Sequence, residues 1–206
     1  MTAWSSKQWL QVPFDEVCTG ILESGGIGAD HKPETEQLPV PGTAQERYQT
    51  LVDRAWLFLR FLPACDWFRV RIELPEDQPS LLVIAEESWF SEPRTADRRL
   101  ALVAKQLATD SPHGRRIERW EHEVGVAHLD RRITLFGRDR DGPFSILDGN
   151  HRLLALARRM RDGGHSLAFD AHVGVSYGPC RWHGDPFRWE ERPERLGERR
   201  YVLRVW

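Results

Sequence analysis

The clearest hydrophobic pattern in the chain lies in its last third. Leu167, Phe169, Ala171, Val173, Val175 and Tyr177 alternate with Ala168, Asp170, His172, Gly174 and Ser176, which predicts a strand with one core face and one polar face. On that polar face the expected role of Asp170 and His172 is an exposed ion pair. Phe68, Val70, Ile72 and Leu74 alternate in the same way with Arg69, Arg71 and Glu73 and predict a second half-wet strand. Leu81 to Ala85 is wholly apolar and reads as a shorter, more buried strand ending at Glu86 and Glu87.

A period of 3.6 marks the helices. Thr43, with Glu46 three residues on, forms a capping-box start for a helix carrying Tyr48, Leu51, Val52, Ala55, Leu59 and Leu62, and Trp56, Phe58 and Phe61 widen its apolar stripe. A second helix is expected over residues 95 to 108, with Leu100, Val103, Ala104 and Leu107 on one side. A more polar helix follows over 113 to 124. Arg132 to Phe136 and Phe144 to Leu147 read as the two strands of a hairpin around Asp139-Arg140-Asp141-Gly142. Leu153, Leu156, Ala157 and Met160 then form a helical stripe that Gly163-Gly164 ends.

Between residues 19 and 43 the glycines and prolines predict an irregular connector dividing an N-terminal arm from the body. Its Gly25-Gly26-Ile27-Gly28 run lacks both a leading strand and a following Lys-Ser/Thr, so the nucleotide-loop signature is absent. The tail after residue 178 is rich in Arg, Pro, Trp and Glu, and Tyr201 to Val205 reads as a terminal strand. These elements predict an α/β (α+β) protein with three parts. Residues 1–80 form an arm, connector, helix and strand packed on the core, 81–177 form the core, and 178–206 form an extension.

Composition narrows the class. A length of 206 residues suits one medium domain, and a net charge of −2 lacks the basic excess of a dedicated duplex-DNA or anionic-membrane binder. Three cysteines, Cys18, Cys65 and Cys180, argue against a disulfide scaffold. The N-terminus has no signal-peptide pattern, and the apolar neighbourhood AWLFLRFL is interrupted by Arg60, so a cytoplasmic location is expected.

Candidate chemistry concentrates at Asp148-Gly149-Asn150-His151-Arg152, where an apolar strand turns into a helix. A helix N-terminus directs backbone N–H groups and partial positive charge outward, which favours an anion. Gly149 allows close approach of the backbone to a phosphate, His151 and Arg152 add side-chain donors, and Asp148 has the hard oxygen that Mg²⁺ or a substrate hydroxyl requires. The structural alternative is a cap from Asp148 or Asn150, a surface ion pair for Arg152 and a satisfied polar group at His151.

The run from Phe144 to Leu156, FSILDGNHRLLAL, closely resembles the signature of the ParB/sulfiredoxin superfamily, an apolar strand followed by a D/G-G-x-H/R-R turn and an L/Y-x-A-L helix. The surrounding order of strand, helix, hairpin, motif, helix and strand is also similar, over about residues 81 to 177. The resemblance implies nucleotide phosphate binding at Gly149, Asn150, His151 and Arg152. Sulfiredoxins carry a catalytic cysteine where this chain has Asn150, and partition clamps need a DNA-binding domain and a dimerisation tail for which the residues after Tyr177 are too few. The free-serine kinase branch, with its D-G-H-H-R turn, is the most similar. It implies transfer of a phosphoryl group from ATP or ADP, with CTP as a further candidate, to a small hydroxylated metabolite. It also implies Mg²⁺ at Asp148 and a base at Glu86 or Glu87. The alternative is a non-catalytic nucleotide-binding switch or DNA-associated regulator. No membrane partner is expected, nucleic acid is not favoured, and the oligomeric state stays open.

Three further signals carry less. Gly197-Glu198-Arg199-Arg200 is similar to the G-E-R-R box of partition proteins, but too little chain follows it for a helix. Cys180 and His183 have C-x-x-H spacing without a second pair. Trp56 and Trp67 are expected in the core, and Trp182 and Trp189 in a tail packed on the body, the alternative being that they wall a nucleobase or substrate pocket.

Overall fold

The computed structural model describes residues 3–23, 40–53, 65–83, 99–123, 133–163, 166–176, 189–193 and 199–203. A short 3₁₀ turn, Ala3–Ser6, leads into β1 (Trp9–Gln11) and α1 (Phe14–Glu23). After them come α2 (Ala44–Asp53), β2 (Asp66–Leu74), β3 (Leu81–Val83), α3 (Leu100–Gln106) and α4 (Pro112–Glu123). The remaining elements are β4 (Thr134–Gly137), β5 (Phe144–Asp148), α5 (Asn150–Gly163), β6 (Leu167–Val175), β7 (Trp189–Pro193) and β8 (Arg199–Leu203).

Six strands form one mixed sheet in the order β1-β2-β6-β4-β5-β3, and β7 and β8 form a separate antiparallel pair. The expected hairpin is present as antiparallel β4 and β5, with β3 and β6 added in parallel to β5 and β4 respectively. The long antiparallel pairing of β2 with β6 brings residues 66–74 into the same sheet as the motif-bearing strand. The first 80 residues therefore contribute two strands to the sheet.

Side chains on a strand point alternately to the two faces, and each face has its own core. On one face Val70, Ile72, Leu135, Ile146, Phe169 and Val173 pack with Leu100 and Val103 of α3, Ile117 of α4 and Leu153 and Leu156 of α5. On the other, Trp67, Phe136 and Leu147 pack with Val17, Ile21 and Leu22 of α1 and Leu51 of α2. Trp67 is a core residue as expected.

The predicted capping box starts α2: Glu46 N–H donates to Thr43 Oγ1 at 3.2 Å, and Thr43 N–H to Glu46 Oε2 at 3.0 Å. Its expected continuation to Leu62, with Trp56, lies outside the described residues, as do Gly25 to Gly28. Residues 19 to 23, expected to open the connector, belong instead to α1, and the following residues 24–39 lie outside the described residues. Among the described residues, no helix is long and apolar enough to cross a membrane.

Candidate functional site

The motif turn begins where β5 runs out of the core. Asp148, its last residue, is 6 % exposed, and Gly149 follows with φ = +92°, in the left-handed region where a side chain would be strained. The first helical hydrogen bond of α5 runs from Leu153 N–H to the Gly149 carbonyl at 2.9 Å. Gly149 is therefore the N-cap. The Asn150 side chain folds back, its Nδ2 donating to the Ile146 carbonyl at 3.0 Å, so it ties the helix start to the strand.

One turn into the helix, Arg152 reaches back to Asp148. Its Nη2 donates to Asp148 Oδ2 at 2.7 Å, and both side chains are buried. The guanidinium also lies over the Trp120 ring of α4, with Cζ 5.7 Å from the ring centroid. Nη1 is buried with no hydrogen-bond partner among the described residues. An arginine presents a planar fork suited to two parallel bonds, and here one prong is occupied. A buried cation held in this way is pre-oriented for an anionic oxygen.

A second helix end meets the first. Ser111 caps α4, its Oγ accepting the Gly114 N–H at 2.9 Å, and Pro112 takes the first helical position, where its missing N–H costs nothing. A Cβ on Gly114 would lie 2.1 Å from the Ala108 carbonyl oxygen, so only glycine lets the first turn of α4 press against the preceding chain. The result is that His113, second in α4, faces His151, second in α5. Nδ1 of His113 and Nε2 of His151 are 3.0 Å apart, and the rings stack with centroids 5.3 Å apart at 19°.

Burial first, then the neighbouring His113, Arg116 and Arg152, push the His151 imidazole down to about 3. Burial and Arg116 also hold His113 below the usual histidine range. The positive ends of two helices act in the same direction. At neutral pH both rings are uncharged, and the permanent positive charge at the turn comes from Arg152, with Arg116 nearby.

Gly149, Asn150, His151 and Arg152 are thus gathered at one helix end, with Asp148 entering as the partner of Arg152. Among the described residues, no group of three His, Cys, Asp or Glu side chains is placed to hold a metal ion. Glu86 and Glu87 lie outside the described residues, as do His128, Cys180, Trp182 and His183, and nothing is described of the Trp189 side chain. The exposed Asp170–His172 pair is corrected by α1 covering that face. His172 is fully buried with Nε2 3.4 Å from Glu16 Oε1, and Asp170 pairs with Arg71 at 3.5 Å. His113 was not legible as a site residue, since it stands 38 positions before His151 in a polar helix with no motif of its own. No known family model matches the chain, and no curated protein or solved structure matches it significantly.

Proposed function

We infer that the β5–α5 turn binds the phosphates of a nucleotide, and that the protein transfers a phosphoryl group to a small hydroxylated metabolite. The observation that carries the reading is Arg152 beside a helix N-terminus, a buried guanidinium with one prong on Asp148 and Nη1 with no hydrogen-bond partner among the described residues. The first turn of α4 lies at the same place and adds a second positive helix end. The order of strand, helices, hairpin, D-G-x-H-R turn, helix and strand supports a ParB/sulfiredoxin-like core around it.

In the proposed reaction an acceptor oxygen attacks the terminal phosphorus in line. The bond from phosphorus to the bridging oxygen breaks, the shortened nucleotide leaves, and the hydroxyl proton passes to a base, for which Glu86 and Glu87 are the candidates. Positioning and charge neutralisation supply most of such catalysis. Arg152 contributes both, and Asp148 fixes its orientation. Asp148 offers one carboxylate, already engaged by Arg152, and this fits poorly with a protein-built Mg²⁺ site. Any Mg²⁺ would have to be brought by the nucleotide, where it would supply charge neutralisation at the phosphates.

That same engagement of Asp148 favours a second reading, a nucleotide-binding switch that does not turn over. Calorimetry with ATP, ADP and CTP, with and without Mg²⁺, tests binding, and nucleotide consumption against a panel of hydroxylated metabolites separates the two readings. Binding lost in a folded Arg152→Ala variant is the expected result; unchanged affinity removes the site. Acceptor-dependent consumption supports transfer, whereas binding without consumption supports the switch.

A further inference from the structure

Two imidazoles meeting nitrogen to nitrogen at 3.0 Å hold one hydrogen bond, which requires one N–H and one lone pair. The pair has two accessible states, neutral and singly protonated. A doubly protonated pair would set two N–H groups against each other and is excluded by the geometry. The neutral state prevails in the free protein because the described surroundings are unfavourable to charge: Arg116 of α4 and Arg152 of α5 act on the pair, it sits in the first turns of two helices, and burial desolvates the rings. Asp148 of β5 is spent on Arg152, and the Trp120 ring contributes no charge.

A phosphate at this helix end reverses the balance, since its negative charge offsets both arginines and attracts a proton to the nearest group able to accept one. We propose that the His113–His151 pair takes up one proton when a phosphate binds at the β5–α5 turn, making His113 a positioning residue of the site and His151 a cation only in the bound state. The proposal rests on the phosphate-site reading and deepens it. The site then prefers a fully charged terminal phosphate, whose charge stabilises the protonated pair most. Its affinity also gains a sign with pH. Binding strengthens as pH falls through the pair's bound-state pKa, by up to about tenfold per unit for one proton, and levels off below the free-state value.

The test is calorimetry of ATP with the full chain between pH 6 and 8.5, in buffers of different ionisation enthalpy. The wild-type protein should take up close to one proton per ATP at the lower end of this range, with an affinity that falls as pH rises. The double variant His113→Gln/His151→Gln keeps side-chain amides but removes both imidazoles; its ATP binding should show little proton uptake, and its residual slope measures the nucleotide's own titration. Should that variant not fold, ¹⁵N shifts of the imidazoles in the wild-type protein, with and without ATP, read the same event directly. Wild-type binding with no uptake beyond that of the double variant, or imidazole shifts unchanged by ATP, overturns the proposal and leaves the phosphate site standing. If ATP, ADP, CTP and inorganic phosphate all fail to bind at any pH in the range, the phosphate-site reading falls and this inference falls with it.

Discussion

Two histidines, one fully buried and one half-buried, sit in opposite electrostatic settings. His172, on β6, is covered by α1 and meets the carboxylate of Glu16, with Arg69 balancing that carboxylate at 3.9 Å. His151, on α5, meets another imidazole, two arginines and the positive ends of two helices. The first sets an imidazole against a carboxylate. The second sets an imidazole pair beside two arginines, one of them balanced by Asp148, and Arg152 Nη1 is buried with no hydrogen-bond partner among the described residues, an arrangement that an anionic oxygen would complete. The difference teaches that burial alone did not mark the site; the charge facing each imidazole did.

The largest effect expected from breaking this contrast is at Arg152. Arg152→Ala removes the cation held against the buried Asp148 carboxylate, so denaturant unfolding should show a loss of about 3–5 kcal/mol. The double change Asp148→Asn with Arg152→Met should recover most of that stability. In the proposed site it should still lack nucleotide binding, where the loss of one charge-assisted hydrogen bond amounts to about 1.5–3 kcal/mol. Recovery of both together would show the arginine to be structural.

Acid should expose the His151 setting next. Its folded pKa, about 3, lies below the ordinary value of 6.5, so the unfolded chain takes up the proton first. Stability contributed by the neutral ring is present above about 6.5 and is lost as pH falls from there toward 3. At pH 5 the loss is about 2 kcal/mol by linkage. His151→Gln should lack that part of the acid sensitivity in urea titrations at pH 7 and 5; an equal loss in both proteins would refute the assignment.

Gly149→Ala forces a side chain into the left-handed region, at a cost of about 1–2 kcal/mol in thermal or denaturant unfolding. Because it also moves the helix start, it should weaken ATP binding beyond the stability loss. The smallest effect belongs to the balanced region. Glu16→Gln, at a half-exposed carboxylate, should change stability by about 0.5 kcal/mol and leave ATP affinity unaltered. A changed affinity there would mean that the two faces of the sheet are coupled.

Much of this arrangement was legible as pattern. Period-two alternation located β2 and β6, the Thr43–Glu46 pair located the start of α2, and the apolar run broken by Asp-Gly-Asn-His-Arg located the strand-to-helix turn. Local rules of backbone and side chain operate over a few residues, and a few residues are enough to read them. α1 was missed because its short amphipathic stretch is followed at once by a glycine-rich segment that dominates the local signal.

What the chain determined by itself, then, was which groups stand at the turn: Asp148, a glycine able to take positive φ, and an arginine one helical turn on, within reach of that acid. Only the tertiary structure decided their partners. The fold packed α4 against α5 with their first turns adjacent, which paired His113 with His151, and laid α1 over His172 and Glu16 beside it. Such contacts depend on the packing of two different helices against two faces of a sheet. They join residues far apart in the chain, and neither partner carries a local signal of the other.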